Sequence, residues 1–375
     1  MREIRPDKFE KVRSLFQGFD YSLSILAAID GNNPGRIFVD DVDQPQTGFA
    51  LTVEGYLLAG DTNNPHTNRS LKRLLSEKIF TGEYYVNGDE SMSLAVHPQA
   101  WEELLPWLIP THAAEKLERY HYICKALKFD WRSQLPEGYA IHRLDGKLLN
   151  DPEVIFADPL RSWMDIPEFW WTEDNFISKG VSFVILYENT VVAWCNPDCV
   201  ANDRIDVGII THPGHRRKGL AACVAAATVE HCLKHGFSAI GWHCNAENTG
   251  SWKTAEKVGF ERNRTYAYYY YVYNLIDHLA ELGWYHYRHE EYDQTVRYYD
   301  QVFAMRDEHP DYYYHLAASA WALLKNKEKA LHYLRFAADR GWSNVDWTKQ
   351  QAEFSLLHGT PEWEEILRRM QASGR

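Results

Sequence analysis

The chain has 375 residues, enough for two or three domains, and its 45% apolar content supplies ample buried core. A formal net charge of −12 argues against a nucleic-acid partner, because phosphate binding needs a basic face; it suits a cationic amine. No leader-like segment opens the chain and no apolar run reaches the roughly 18 residues of a membrane span, so a cytoplasmic protein with no membrane partner is expected.

In residues 1–135 a helix is expected over Pro6–Phe19. A hairpin follows, with strands Arg36–Val39 and Gly48–Leu58 joined by the turn-rich Asp40–Thr47. Helices are then expected around Ser70–Glu77 and over Trp101–Phe129. Residues 136–274 begin with a strand, Tyr139–Leu144, and continue through an aromatic helical segment carrying Trp163, Phe169, Trp170, Trp171 and Phe176. The hairpin Val181–Tyr187 / Val191–Cys195 turns at Glu188-Asn189.

Ile205–Thr211 is apolar and β-branched, as a buried strand should be. Pro213 and Gly214 break it, and Arg216-Arg217-Lys218-Gly219-Leu220-Ala221 opens a helix that stops at Gly236. A helix N-terminus carries unpaired N–H groups and a positive dipole end, so a pyrophosphate can rest there on backbone donors. Gly219 admits the ligand to the backbone, and Ala221 and Ala222 keep side chains away. A second apolar strand, Ser238–Cys244, is followed by Asn248-x2-Ser251 and Glu256-Lys257-Val258-Gly259-Phe260. Tyr266–Tyr273 reads as a closing strand with Tyr on both faces, one or two of whose hydroxyls line an acceptor pocket in the sharper reading.

Residues 275–375 turn helical. Leu279-x2-Leu282-Gly283 with Thr295 and Tyr299 matches Tyr314-x2-Ala317-Ala318 with Ala330 and Leu334 at a 35-residue offset. That period resembles two tetratricopeptide-like helix pairs, with Val345–Leu367 as a cap. The six cysteines lack a disulfide-framework spacing. Cys195-x3-Cys199 with His212 or His215 has no second ligand pair, so core thiols and no metal are expected.

The order strand, R-x-x-G-x-A, helix, strand, Asn-bearing turn, helix, Gly-Phe resembles the acetyl-CoA-binding core of the GNAT N-acetyltransferase superfamily, and within it the zwittermicin-resistance type. The resemblance implies a mixed α/β (α+β) GNAT fold over 136–274. It also makes 1–135 a degenerate α/β half of the same fold, without a phosphate loop and serving to shape the acceptor site. On this pattern Ile209, Ile210 and Thr211 hold the pantetheine arm and thioester oxygen. Arg216, Arg217, Lys218, Gly219, Leu220, Ala221 and Ala222 hold the diphosphate, and Asn248 and Ser251 anchor the arm. Asp206 takes the position of the family's strand acid and His243 closes the next strand, so either can act as general base. Ala255 stands where many relatives carry a Tyr that protonates the departing thiolate. The implied activity is acetyl transfer from acetyl-CoA to a small amine such as an antibiotic or metabolite. A protein N-acetyltransferase whose repeats capture a peptide, or a non-catalytic acyl-CoA-binding scaffold, are the alternatives.

Overall fold

A computed structural model describes residues 1–82, 90–306 and 308–373. The chain divides into two units, Met1–Tyr270 and Tyr271–Arg375.

The first unit opens with β1 (Arg2–Ile4), α1 (Leu23–Ile29), β2 (Gly35–Val39), β3 (Thr47–Thr52), β4 (Gly55–Gly60), α2 (Pro65–Leu74), β5 (Ser91–His97), α3 (Trp101–Leu108) and β6 (Glu115–Cys124). It continues with α4 (Trp131–Gln134), β7 (Tyr139–Arg143), α5 (Gly146–Leu149), β8 (Ile155–Phe156), α6 (Ile166–Trp170), α7 (Glu173–Lys179), β9 (Phe183–Tyr187) and β10 (Thr190–Ala201). Then come β11 (Arg204–Thr211), α8 (Leu220–Lys234), β12 (Ala239–Asn245), α9 (Thr249–Val258) and β13 (Glu261–Val272). The strands join one sheet in the order β1-β2-β3-β4-β5-β13-β6-β12-β11-β10-β9-β7, with β8 beside β10.

Each half is built around a parallel pair of strands linked by a helix: β4 and β5 through α2, β11 and β12 through α8. A parallel pair needs such a crossover, since two residues cannot carry the chain back to the same end. The last strands of the halves are interleaved. β6, from the N-terminal half, pairs with β12 over six residues, Arg119–Cys124, and β13 lies between β6 and β5. The two halves therefore share one sheet.

Several expectations are corrected here. Trp101–Phe129 is not one helix. Pro110 halts α3, because a proline disfavours helical backbone in the residue before it, and Glu115–Cys124 is strand β6. Its Tyr-His-Tyr-Ile run carries the aromatic and β-branched side chains that suit a pleated surface. Pro6–Phe19 forms two short 3₁₀ turns, Pro6–Val12 and Gln17–Phe19. Gly48–Leu58 is two strands, reversed at Val53-Glu54. The turn at Glu188-Asn189 is as expected, with both residues at positive φ (48° and 61°) as a type I′ hairpin requires. All six cysteines are buried free thiols.

The main core lies where α8 covers β10 and β11. Ala222, Ala225 and Ala226 let the helix approach closely, and Cys223, Val224, Val229 and Cys232 fill the space against Val184, Ile205, Val207 and Ile240. The second unit is helical: α10 (Leu275–Arg288), α11 (Tyr292–Met305), α12 (Asp311–Leu323), α13 (Lys327–Asp339), α14 (Val345–Gln350) and α15 (Pro361–Ser373). Gly283 lies directly against the Tyr299 ring, so any side chain there would collide. Thr295, Tyr299, Ala317, Ala330 and Leu334 are all buried. No described helix is long and apolar enough to cross a membrane.

Candidate active site

Gly219 precedes α8 at φ 82°, a conformation open to glycine at little cost, and no side chain caps the helix. Its first-turn N–H groups are the donors that an anion can use. The corresponding helix of the N-terminal half is closed. Asn64 Oδ1 accepts from the N–H groups of His66 (3.1 Å) and Thr67 (3.2 Å), and Pro65 has no N–H to offer. Only one of the two crossover helices therefore presents an open N-terminus.

Beside it the sheet comes apart. β11 pairs with β12 only through Arg204, Ile205 and Asp206, while its pairing with β10 continues to Thr211. Alternate residues between Val207 and Thr211 thus turn backbone N–H and C=O groups into the opening. A groove of about 650 Å³ follows this opening to α8. Ile209, Ile210, Thr211, Arg216, Arg217, Gly219, Leu220, Ala221, Ala222, Asn248 and Ser251 all line it. Thr211 Oγ1 is buried without a hydrogen-bond partner among the described residues.

Three expected residues do not line the groove: Asp206, His243 and Lys218, whose Nζ donates to Tyr139 Oη at 2.8 Å. Asn248 and Ser251 also have structural work. Asn248 Oδ1 accepts from Ser251 N–H as the N-cap of α9, and Ser251 Oγ accepts from Trp242 Nε1 at 3.0 Å. The groove also contains His215, Trp242, Lys253, Thr254 and Lys257, which the sequence reading missed. The i, i+4 spacing of Lys253 and Lys257 was the available signal, since it puts both ammonium groups on one helix face.

Asp206 is the last residue of β11 to pair with β12, and its side chain is turned toward the N-terminal half. Opposite it stands Gly241, where a Cβ would collide with the carboxylate. Asp206 accepts from the Leu23 N–H, while Oδ2 lies 3.5 Å from His243 Nε2. Neither of those two facing atoms has a hydrogen-bond partner among the described residues. His243 Nδ1 and Tyr266 Oη hydrogen-bond at 3.0 Å. His121, directly across the β6–β12 pair, stacks on His243 with centroids 4.5 Å apart and planes 10° apart. Its Nδ1 accepts from Asn263 Nδ2 at 3.2 Å. His121, Asp206 and His243 have donor atoms within 4.8 Å of one another. The stacked imidazole planes, however, run their in-plane lone pairs side by side and do not converge on one point.

Burial sets the titration of this cluster. It pushes Asp206 up to about 6, and pushes both His243 and His121 down to about 4. The charged form loses its hydration in each case, which raises an acid and lowers a base. Burial between the strands thus holds His243 below the range in which an imidazole serves as a base at neutral pH. Burial also raises Glu54, against the opposing effect of His243, and raises Asp198 well above the usual carboxylate range with help from Glu54 and Asp206.

The family model described as GNAT acetyltransferase matches residues 13–269. An uncharacterized N-acetyltransferase, YdfB, of Bacillus subtilis (strain 168) is 24% identical over 271 residues, covering 72% of this chain and 98% of that protein. A second B. subtilis protein, the uncharacterized N-acetyltransferase YjdG, is 38% identical over 69 residues, 18% of this chain and 41% of its own length. Among solved structures, a GCN5-related N-acetyltransferase-like protein from Streptococcus suis 89/1591 superposes with a TM-score of 0.52 at 24% identity. That likeness covers 70% of this chain and 98% of that one. The family match ends one residue before the first unit does. With an open crossover helix beside a parted strand pair, and a family match across nearly all of the first unit, the chain belongs to the GNAT acetyltransferase family.

Proposed function

We propose that the protein transfers the acetyl group of acetyl-CoA to the amine of a small molecule, an antibiotic or a metabolite. The single observation that carries this reading is the uncapped start of α8 lying in one groove with the unpaired edge of β11. The diphosphate would rest on the N–H groups of Arg217–Ala222, with Lys253 and Lys257 nearby to balance its charge. The thioester oxygen would meet backbone N–H groups of Ile209–Thr211. A preorganised donor of this kind is worth about 3–4 kcal/mol of barrier.

Asp206 is the base favoured by this arrangement. A base serves best when its pKa lies near the working pH, and Asp206 is held near 6 while His243 is held near 4. The amine nitrogen would attack the thioester carbon, its proton passing to the Asp206 carboxylate. Collapse of the tetrahedral intermediate would then expel the CoA thiolate. Ala255 is buried and offers no acid to that thiolate; a thiol of pKa about 8.5 leaves without one.

We read α10–α13 as two tetratricopeptide-like pairs that bind a protein or peptide partner. Pair starts of 275 and 311, and partner starts of 292 and 327, support this. The test of the enzymatic reading is a screen of amines, beginning with aminated antibiotics and polyamines, for thiol release from acetyl-CoA. Failure to bind acetyl-CoA by calorimetry would reject it.

A further inference from the structure

We propose that the first unit holds a second binding site, a cleft in which Arg119 receives the carboxylate of a small monoanion. Where it bears on the acceptor the inference rests on the acetyl-transfer reading, and gives that acceptor a carboxylate besides the nitrogen that is acetylated. Arg119 stands on β6, across from Asn245 of β12 and Tyr266 of β13. With a strand on either side, its side chain leaves the sheet on the face that also carries His121, two residues along. There it lines a small cleft with Ser93, Tyr266, Tyr268 and Glu54, the last on the turn between β3 and β4.

The guanidinium is left without an acceptor. Its Nε is shut off from solvent and has no hydrogen-bond partner among the described residues. No described carboxylate forms an ion pair with it, although Glu54 is near enough to act on its charge. Burial raises the Glu54 carboxyl, which makes it a weak counter-ion. Tyr268 supports the cation from one side, its ring centroid 5.8 Å from the guanidinium carbon. A guanidinium over a ring face keeps the donors in its own plane free. Leaving such donors unmatched out of water is costly, and a guanidinium can only donate, so the group that satisfies it is an anion.

The rest of the lining selects which anion. Burial pushes the Tyr268 phenol up to about 12, so it stays protonated and can donate beside Arg119. The opposite wall differs. Ser22 and Ser24 Oγ are 3.0 Å apart, Ser24 Oγ and Thr52 Oγ1 are 2.9 Å apart, and Thr52 Oγ1 donates to Gly55 O at 2.8 Å. With the Thr52 proton committed to Gly55, Ser24 donates to Thr52 and Ser22 to Ser24. This wall therefore presents lone pairs, and an anion is held from the Arg119 side alone. One guanidinium balances one negative charge, and its planar fork matches the two oxygens of a carboxylate. The second charge of a phosphate would have no partner.

Two residues join the cleft to the candidate base. Tyr266 lines it and hydrogen-bonds His243, whose Nε2 is 3.5 Å from Asp206 Oδ2. Glu54 lines it too, and has an oxygen within 4.8 Å of one of Asp206. A carboxylate on Arg119 would thus anchor the far end of an acceptor whose nitrogen approaches Asp206. Arg119 determines specificity there and takes no part in the proton transfer.

The test titrates the full-length protein calorimetrically, without CoA, with n-butyrate, n-butyramide and inorganic phosphate at one ionic strength. Butyrate should bind saturably, and at least tenfold more tightly than either its neutral amide or phosphate. Arg119→Gln should lose at least tenfold in butyrate affinity and keep its acetyl-CoA affinity, because Arg119 lies outside the groove at α8. Arg119→Lys, which keeps the charge and loses the fork, should fall between the two. No binding of butyrate, equal affinities for butyrate and its amide, tighter binding of phosphate, or an unchanged butyrate affinity in Arg119→Gln would each overturn the proposal. The wild-type comparison of the three probes decides the matter even where a variant fails to fold. Butyrate binding by a protein that does not bind acetyl-CoA would reject the acetyl-transfer reading and leave the carboxylate site in place.

Discussion

Gly219 and Asp206 carry different parts of the chemistry, and their substitutions should separate binding from turnover. Gly219 sits at φ 82° with open space where its Cβ would be. Gly219→Val therefore meets no protein atom, but it strains the backbone by about 1–3 kcal/mol and puts a branched side chain over the helix N–H groups. Acetyl-CoA affinity should fall at least tenfold by calorimetry, with the far-UV spectrum preserved; equal affinities would contradict the cradle. Asp206→Asn should leave acetyl-CoA affinity near normal and lower kcat by about 10²–10⁴, with His243→Ala the milder change. The pH profile gives the sign. A base works deprotonated, so kcat/KM should fall as pH drops through the value near 6 to which burial raises Asp206. His121 and His243, held near 4, should add no limb around the usual histidine value. A profile measured on Asp206→Asn should lack the limb at 6, and its persistence would assign the proton to another group.

Strand β6 is the element on which the second half depends. It lies between β12 and β13, so a chain starting at residue 136 would expose both as unpaired edges. Unpaired edges are templates for aggregation. A 136–375 fragment should be insoluble alone and recovered when 1–135 is co-expressed, as judged by the soluble fraction and by CoA binding. A soluble, CoA-binding 136–375 fragment would show that the shared strand is dispensable. The same strand places His121 beside His243, so the electrostatics of the proposed base depend on a residue from the first third of the chain.

For the molecule as a whole, the decisive division is at Tyr270/Tyr271. Every groove residue and every member of the Asp206 cluster lies in the first unit. A 1–273 protein should therefore retain acetyl-CoA affinity within about threefold, the scatter that context puts on a binding free energy of this size. Turnover on the true acceptor then reports what the helices do. Loss of turnover with retained acetyl-CoA binding would mean that they present the acceptor, and unchanged turnover would make them a separable partner-binding module. Loss of acetyl-CoA binding would contradict the assignment of the site to the first unit.

Local features were readable from the chain because local physics produces them. Ile205–Thr211, the break at Pro213-Gly214 and the small residues after Gly219 specify strand, turn and open helix start within about twenty residues. The hairpin at Glu188-Asn189 was legible from its two polar residues between apolar strands, Asn189 being of a type that tolerates positive φ. Glu115–Cys124 was misread because its apolar positions fit either period, and only pairing with β12 and β13 selects the strand. Asp206 could be singled out by position, but its raised pKa could not. That value comes from burial under segments far away in sequence, with α1, the Glu54 turn and His121 of β6 all brought against it. Glu54 carries no sequence signal of its own, being a lone acid on the two-residue turn between two largely apolar strands. Its meaning arises only when two halves of one sheet bring its carboxylate to the end of another strand pair, because the free energy of a buried charge depends on everything packed around it.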